Sequence, residues 1–238
     1  MNSLLVGILC EDGVVVGSAD SGPRQTGGLD PAEESWANTL VVERDLILAG
    51  TGRIGLGQRF ADVVAAIRSD SRFPDWTGLA VAKFISAEVA DDFASTRADK
   101  GQFGALVAFS ACDGFHLCEF AQSDLQPELK TPERWFASMG AGRPVAEPFL
   151  HFLQRVYFAG SPPVLKEAAF AAAWALDFAA GLPAAAVAAA PQIAVLAQET
   201  PGMSSAARLL SAQELADQIA DVRAAEKHLA AYRRGPGC

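Results

Sequence analysis

The sequence predicts an α+β fold in which two antiparallel sheets stack on one another and pairs of helices cover their outer faces. Three observations lead to this expectation. The predicted strands come in hairpins, the predicted helices come in pairs, and the two kinds of element do not alternate along the chain. Hairpins imply antiparallel sheets, and apolar helix faces need a sheet surface on which to pack. The sequence therefore favours a four-layer αββα sandwich.

The N-terminal part contains two predicted hairpins. Apolar runs at 4–10 and 14–19 are joined by Glu11-Asp12-Gly13, and an Asp-Gly pair between apolar runs is a strong hairpin signal. Residues 21–37 are polar and contain several glycines and prolines, so we expect a surface loop there. The second hairpin is predicted at 40–48.

The middle of the chain changes from strands to helices and back. Apolar residues recur at helical spacing over 56–67 and again over 81–93. Strand character returns at 103–109 and 115–120, on either side of a second Asp-Gly pair, and a short apolar run follows at 135–138. The order thus places one pair of helices between two groups of strands.

The C-terminal part predicts two more helices, over 145–156 and 165–176, and a strand over 193–196. We expect one domain over residues 1–200. Residues 201–238 are predicted to form a linker and a C-terminal helix that packs on the domain or on a neighbouring subunit. A capping-box sequence, Ser-Ala-Gln-Glu at 211–214, marks the start of that helix.

The composition argues against several classes of protein. A formal net charge of −9 repels phosphate backbones, so no nucleic-acid partner is expected. The four cysteines form no CxxC pair and no histidine lies at zinc-ligand spacing, so neither a metal site nor a disulfide framework is predicted. The first apolar run lacks a basic flank and is broken by Glu11 and Asp12, as in a strand and unlike a signal peptide. We expect a cytoplasmic protein.

Residues 168–198 are numerous enough to span a bilayer, and Asp177 is their only charge. The stretch is mostly alanine, which is weakly apolar, and Gly181, Pro183 and Pro191 interrupt it. A helix, a turn and a buried strand are the preferred interpretation, and no membrane association is expected.

A glycine run at 50–55 fits the pattern GxGxxG and lies between a predicted strand and a predicted helix. Dinucleotide binding would need a parallel strand that ends in an acidic residue about 20 positions further on. Residues 69–74 instead read as a turn into another helix. A nucleotide-dependent enzyme therefore remains an alternative, and a close approach of strand and helix is the preferred interpretation. No cofactor is predicted.

Four segments resemble, in order and spacing, parts of proteasome β-subunits and their bacterial relatives. The segments are Ser3–Ser21 (SLLVGILCEDGVVVGSADS), Leu46–Gly52 (LILAGTG), Trp135–Pro144 (WFASMGAGRP) and Ser161–Ala180, which begins Ser-Pro-Pro. The resemblance extends over residues 3–198 and implies the fold of N-terminal-nucleophile (Ntn) hydrolases. Members of that family assemble into rings, which implies a homo-oligomer built as a ring or as stacked rings.

The resemblance also implies a set of site residues. Ser3 falls where the family has its nucleophilic threonine, Asp20 on the aspartate that ends the second strand, and Gly50 on the glycine whose N–H holds the oxyanion. Asn38 falls where the family has a lysine, and Ala141 where it has a serine. The second strand is one residue longer than in the family, so a bulge or a shift is expected in it.

Two functions follow from these residues. The first is an amidohydrolase or peptidase in which Ser3 attacks a peptide or a small amide. Met1 and Asn2 precede Ser3 in this sequence, so a free α-amine at Ser3 requires their removal. The alternative is a catalytically inactive, proteasome-like assembly or binding subunit, which the missing lysine favours.

Overall fold

The computed structural model describes residues 3–20, 40–70, 73–98, 100–185, 191–198 and 204–233 of the 238-residue chain. The strands in these ranges are β1 (Ser3–Leu9), β2 (Gly13–Asp20), β3 (Val41–Glu43), β4 (Leu46–Gly52), β5 (Phe103–Ala111), β6 (Gly114–Phe120), β7 (Pro127–Leu129), β8 (Phe136–Met139), β9 (Gln192–Gln198) and β10 (Ser205–Leu209). The α-helices are α1 (Ile54–Arg68), α2 (Gly78–Ser95), α3 (Arg143–Phe152), α4 (Leu165–Ala180) and α5 (Ala212–Arg233).

The strands form two antiparallel sheets of five strands each. The first sheet has the order β10-β9-β2-β1-β8, and the second has the order β3-β4-β5-β6-β7. Both predicted Asp-Gly turns are present, one between β1 and β2 and one between β5 and β6. Gly114 in the second turn has a φ of +123°, which glycine adopts without the penalty that a Cβ would bring.

Three apolar layers hold the sheets and helices together. One layer lies between the two sheets and includes Leu5, Ile47 and Leu106. A second layer joins the outer face of the first sheet to α3 and α4, and a third joins the outer face of the second sheet to α1 and α2. The predicted four-layer αββα sandwich is confirmed.

The glycine run at 50–55 lies at the junction of β4 and α1. Because β4 pairs antiparallel with both of its neighbours, β3 and β5, the run is not part of a parallel βαβ unit. A dinucleotide-binding fold needs such a unit. The nucleotide-dependent alternative is therefore wrong for this segment, which serves as a sharp passage from strand to helix.

Two short strands and one helical irregularity were not predicted. β7 extends the second sheet beyond β6, and β10 extends the first sheet beyond β9. β10 (Ser205–Leu209) lies in the segment 201–238, for which a linker and a helix were predicted. The helix predicted over 145–156 ends as α3 at Phe152 and continues as a π-helical turn over Leu153–Tyr157.

The C-terminal helix α5 begins at the predicted capping box. The N–H of Ser211 donates to Glu214 Oε2 at 2.8 Å, and the N–H of Glu214 donates to Ser211 Oγ at 3.2 Å. The helix lies against α4, and Arg223 binds Asp177 of α4 through an ion pair of 2.7 Å. Residues of both helices belong to the apolar layer on this side of the first sheet.

Val222 is the most deeply buried residue of α5, and none of its surface is exposed. We expect Val222→Ala to lower the free energy of unfolding by about 1–2 kcal/mol, because it removes two buried methyl groups and leaves a small cavity. Leu229→Ala on the same helix is the matched control, since Leu229 is 56% exposed and should change stability little. Chemical denaturation measures both; equal effects would contradict the docking of α5 on α4.

None of the helices in the described ranges is both long enough and apolar enough to cross a lipid bilayer.

Candidate active site

Ser3 opens β1 and directs its side chain into the space between the two sheets. Side chains alternate between the faces of a strand, and Leu5 packs between the sheets while Leu4 packs under the helices. Ser3 therefore shares the inter-sheet face with Leu5. Only 2% of its surface is exposed.

The Ser3 hydroxyl meets a second hydroxyl from the opposite sheet. Ser3 Oγ and Thr51 Oγ1 lie 3.0 Å apart and form a hydrogen bond, and both side chains are buried. Thr51 directly follows Gly50, the residue that the resemblance places at the oxyanion. The structure thus brings the predicted nucleophile next to the predicted oxyanion strand.

Sequence reasoning did not identify Thr51. A signal was nevertheless present, because Ala49 packs between the sheets and side chains two positions apart in a strand share a face. Thr51 must therefore point toward the first sheet as well. A hydroxyl at that position can fix the rotamer of Ser3, but it cannot accept a proton at neutral pH in the way that a base does.

Gly50 lies in β4, and its position in the ladder sets the direction of its backbone N–H. The backbone N–H of Arg53 donates to the carbonyl oxygen of Gln102, so these two residues form a hydrogen-bonded pair at the end of the β4–β5 ladder. Gly50, three residues earlier, pairs with Ala105 in the same register. Hydrogen-bonded and non-hydrogen-bonded pairs alternate along such a ladder. The Gly50 N–H therefore points away from β5, toward the side on which β3 lies.

Gly140 and Gly142 form the turn that joins β8 to α3, and this turn holds the first residue of β1. The N–H of Gly142 donates to the carbonyl oxygen of Ser3 at 3.2 Å. Gly140 has a φ of +87°, and a Cβ there would lie 2.3 Å from the same carbonyl oxygen. Only glycine lets the turn approach Ser3 this closely. Ala141, between them, is exposed and offers no hydroxyl.

Asp20, the last residue of β2, is the direct register partner of Ser3. The pairing is regular from Ser3 opposite Asp20 to Leu9 opposite Val14, so the bulge expected in β2 is absent there. The start of β1 and the end of β2 therefore lie side by side.

The remaining predicted position, Asn38, lies outside the described residues. Ser3, Asp20 and Gly50 are brought to one end of the sandwich, and Thr51 and Gly140 join them there. Within the described part of the chain, no hydrogen bond or ion pair connects a lysine, arginine or histidine with the Ser3 hydroxyl. Among the described side chains, the contact of the Ser3 hydroxyl is with a second hydroxyl, that of Thr51, and not with a basic group.

Cys10 and Cys118 are buried free cysteines in the described part of the chain. Burial raises the pKa of the Cys10 and Cys118 thiols well above the ordinary value, so both stay protonated at neutral pH. A protonated thiol is a poor nucleophile. Neither residue offers a substitute for Ser3.

The fold is shared by two solved structures of Anbu, a bacterial proteasome-like homologue. An Anbu (Gly-1) mutant from Hyphomicrobium sp. strain MC1 aligns with a TM-score of 0.66 at 16% identity over 96% of both chains. A helical assembly of the Anbu complex from Pseudomonas aeruginosa aligns with a TM-score of 0.67 at 12% identity, over 99% of this chain and 98% of the other.

The chain has a proteasome-like Ntn-hydrolase fold. At this low identity the likeness concerns the fold, and it extends over almost the whole chain, including β10 and α5. No family model and no curated protein matches the sequence. In a proteasome-like fold the resemblance assigns the nucleophile to the start of the first strand, which is where Ser3 lies.

Proposed function

We propose that this chain is an Ntn-type amide hydrolase whose nucleophile is Ser3 and whose activity requires removal of Met1 and Asn2. The observation that supports this most strongly is the 3.0 Å hydrogen bond between Ser3 Oγ and Thr51 Oγ1 at the inter-sheet end of β1. This contact holds the Ser3 hydroxyl against the residue that follows Gly50. In the proposed reaction the α-amine of Ser3 itself is the base.

The proposed chemistry assigns one role to each group. The Ser3 hydroxyl attacks the carbonyl carbon of an amide, and the free α-amine of Ser3 accepts the hydroxyl proton. An α-amine with a pKa of about 8 can do so near neutral pH, whereas a peptide nitrogen cannot. The Gly50 N–H stabilises the oxyanion of the tetrahedral intermediate, and Asp20 supports the amine through its place beside Ser3.

Asn38 would occupy the place of the family lysine. An amide side chain does not titrate, so it supplies neither positive charge nor a proton relay. The α-amine would then be the base without help from a neighbouring ammonium group. We therefore propose slow hydrolysis of peptides or small amides, in a homo-oligomer that forms a ring or a stacked-ring assembly. One structural neighbour is itself a helical assembly, which supports oligomer formation. The proposed location is the cytoplasm.

The second candidate is a catalytically inactive assembly subunit. The near-complete burial of Ser3 favours it, because a substrate carbonyl must reach the hydroxyl. The lack of a basic partner among the described contacts of Ser3 favours it as well. Both candidates share the scaffold and differ in whether a chain that begins at Ser3 reacts with an electrophile.

The deciding experiment compares chains that begin at Met1 and at Ser3, the latter released from a cleavable leader. We expect a β-lactone probe to add once to the Ser3-initiated chain, with the adduct on Ser3 by peptide mass spectrometry. The Met1-initiated chain should stay unlabelled. Ser3→Ala in the short chain should reduce labelling and amide hydrolysis by about a thousandfold or more.

Ser18→Ala is the matched control for Ser3→Ala. Ser18 is also a buried serine, on β2, and its hydroxyl has no hydrogen-bond partner. Its removal should leave labelling unchanged. An assembled chain that begins at Ser3 and takes up no probe would overturn the hydrolase and leave the assembly subunit.

A further inference from the structure

The Thr51 hydroxyl has one hydrogen-bond partner among the described residues, and that partner is the Ser3 hydroxyl at 3.0 Å. Thr51 is 5% exposed and Ser3 is 2% exposed, so bulk water contributes little to the hydrogen bonds of either hydroxyl. Each hydroxyl contains one hydrogen, and a single bond between two hydroxyls uses only one of the two hydrogens. The direction of this bond therefore decides which hydrogen stays available to a third group.

The two directions of the bond have opposite consequences for a reaction at Ser3. If Ser3 donates to Thr51, the Ser3 proton points at an oxygen that is not a base at neutral pH. If Thr51 donates to Ser3, the Ser3 proton is free for the α-amine, and one lone pair of Ser3 Oγ remains for attack on a carbonyl carbon. Only the second direction serves the proposed reaction.

The backbone on both sides of this contact is held in place. The N–H of Gly142 donates to the carbonyl oxygen of Ser3 at 3.2 Å, and β1 pairs Ser3 with Asp20. Thr51 pairs with Gly104 in the β4–β5 ladder. The remaining freedom of the Ser3 side chain is rotation about χ1 among a few staggered positions. The branched Cβ of Thr51 restricts its own χ1, so its hydroxyl can select one of those positions for Ser3 Oγ.

We propose that Thr51 is a positioning residue, which donates its hydroxyl hydrogen to Ser3 Oγ and leaves the Ser3 proton free for the α-amine. This inference rests on the proposed hydrolase and assigns one further residue to it. In the attack, the Ser3 O–H bond breaks and its proton passes to the α-amine nitrogen. A bond forms between Oγ and the carbonyl carbon, and the π electron pair of the carbonyl moves to its oxygen. Thr51 keeps its own proton throughout, because it acts through Ser3.

Substitutions at position 51 separate the hydroxyl from the shape of the side chain. Thr51→Val keeps the branched shape and removes the hydroxyl, whereas Thr51→Ser keeps the hydroxyl and removes the methyl group. Thr51→Ala removes both, so it differs from Thr51→Ser in the hydroxyl alone. Each variant is made in the chain that begins at Ser3. Labelling by the β-lactone probe is then followed over time at several probe concentrations, which separates the limiting rate from the half-saturating concentration.

The limiting rate should follow the hydroxyl. We expect Thr51→Val and Thr51→Ala to lower it about five- to tenfold, the effect of losing one hydrogen bond in the reacting arrangement. The half-saturating concentration should change less than about twofold, because Thr51 acts on Ser3 and not on the probe. Thr51→Ser should keep at least about a third of the wild-type rate. A purely structural role of Thr51 would not produce this dependence on the hydroxyl.

A double-mutant cycle tests the contact itself in the full chain that begins at Met1. Thr51→Val is made with and without Ser3→Ala, and denaturant unfolding gives the unfolding equilibrium constant. With Ser3 present, Thr51→Val leaves the Ser3 hydroxyl without its partner. In the Ser3→Ala chain it removes a hydroxyl that has already lost its partner. The increase of the constant should be at least about threefold larger in the first case. Equal increases would overturn the contact on which the proposal is built.

Failure of this inference can be told from failure of the hydrolase. If the unsubstituted chain that begins at Ser3 takes up no probe, the hydrolase and the role of Thr51 are both wrong. If that chain reacts and Thr51→Val reacts as fast or faster, the hydrolase stands and the role of Thr51 is wrong. A Thr51→Ser chain as slow as Thr51→Ala also overturns the role. If Thr51→Val does not fold, the comparison of Thr51→Ser with Thr51→Ala decides the matter.

Discussion

Replacement of Gly140 by alanine should lower the free energy of unfolding by about 2–4 kcal/mol, from a strained backbone and a steric clash together. The backbone at Gly140 has a φ of +87°. An added Cβ would lie 2.3 Å from the carbonyl oxygen of Ser3 and 3.0 Å from its Oγ. Real Cβ atoms do not approach a backbone oxygen that closely, so the turn or the start of β1 must move. Chemical denaturation measures the loss of stability.

Gly160→Ala separates the two causes. Gly160 has almost the same φ, +89°, but no atom would lie within 4 Å of its added Cβ. It should show the backbone strain alone, about 1 kcal/mol. The difference between the two variants therefore measures the contact between the turn and Ser3. An equal loss in both would contradict the close packing of Gly140 on Ser3.

The same substitution has a second expected effect if Ser3 is the nucleophile. A displacement of about 1 Å at a reacting atom can cost about a hundredfold in rate. In the chain that begins at Ser3, Gly140→Ala should reduce β-lactone labelling by about that factor, whereas Gly160→Ala should not. Undiminished labelling in a destabilised Gly140→Ala chain would show that the turn supports β1 without positioning the hydroxyl.

The fold could be predicted largely because its signals are local. An Asp-Gly pair determines a tight turn by its own backbone preferences, and a capping box is formed by Ser211 and Glu214 within one helical turn. Neither signal depends on distant residues. The order of hairpins and helix pairs then leaves few ways to bury the apolar faces, of which the stacked sheets are one.

The short strands could not be predicted, because their partners lie elsewhere. β10 has the sequence Ser-Ala-Ala-Arg-Leu, which lacks alternation, and it forms because the edge of β9 offers backbone groups to pair with. β7 begins with a proline, which usually indicates the absence of a strand, and it is tolerated as the edge of its sheet.

The candidate site was predictable only in part for the same reason. Ser3, Asp20 and Gly50 were assigned through a resemblance in the order of motifs. The contact of Ser3 with Thr51 joins the two sheets, and the two residues are 48 positions apart in the sequence. The binding of Lys130 to both Glu119 and Glu128 was not predicted, because the register of β6 and β7 brings the two carboxylates opposite each other, and no sequence pattern specifies that register.

Lys130→Met should lower the free energy of unfolding by about 3 kcal/mol at neutral pH, the low end of the range for breaking a buried ion pair. The ammonium group of Lys130 binds both Glu119 and Glu128, which face each other across the strand pair. Its loss leaves the buried Glu119 without a counter-charge. The cost stays at the low end because Glu128 is half exposed and water screens its charge. Denaturant unfolding of the full chain measures the change.

The double variant Lys130→Met with Glu119→Gln should recover at least half of that loss, because it removes the uncompensated charge and keeps the volume. Lys166→Met on α4 is the control, since Lys166 is an exposed lysine and should change stability little. If Lys130→Met cost no more than the control, the two carboxylates would not depend on Lys130 for neutralisation.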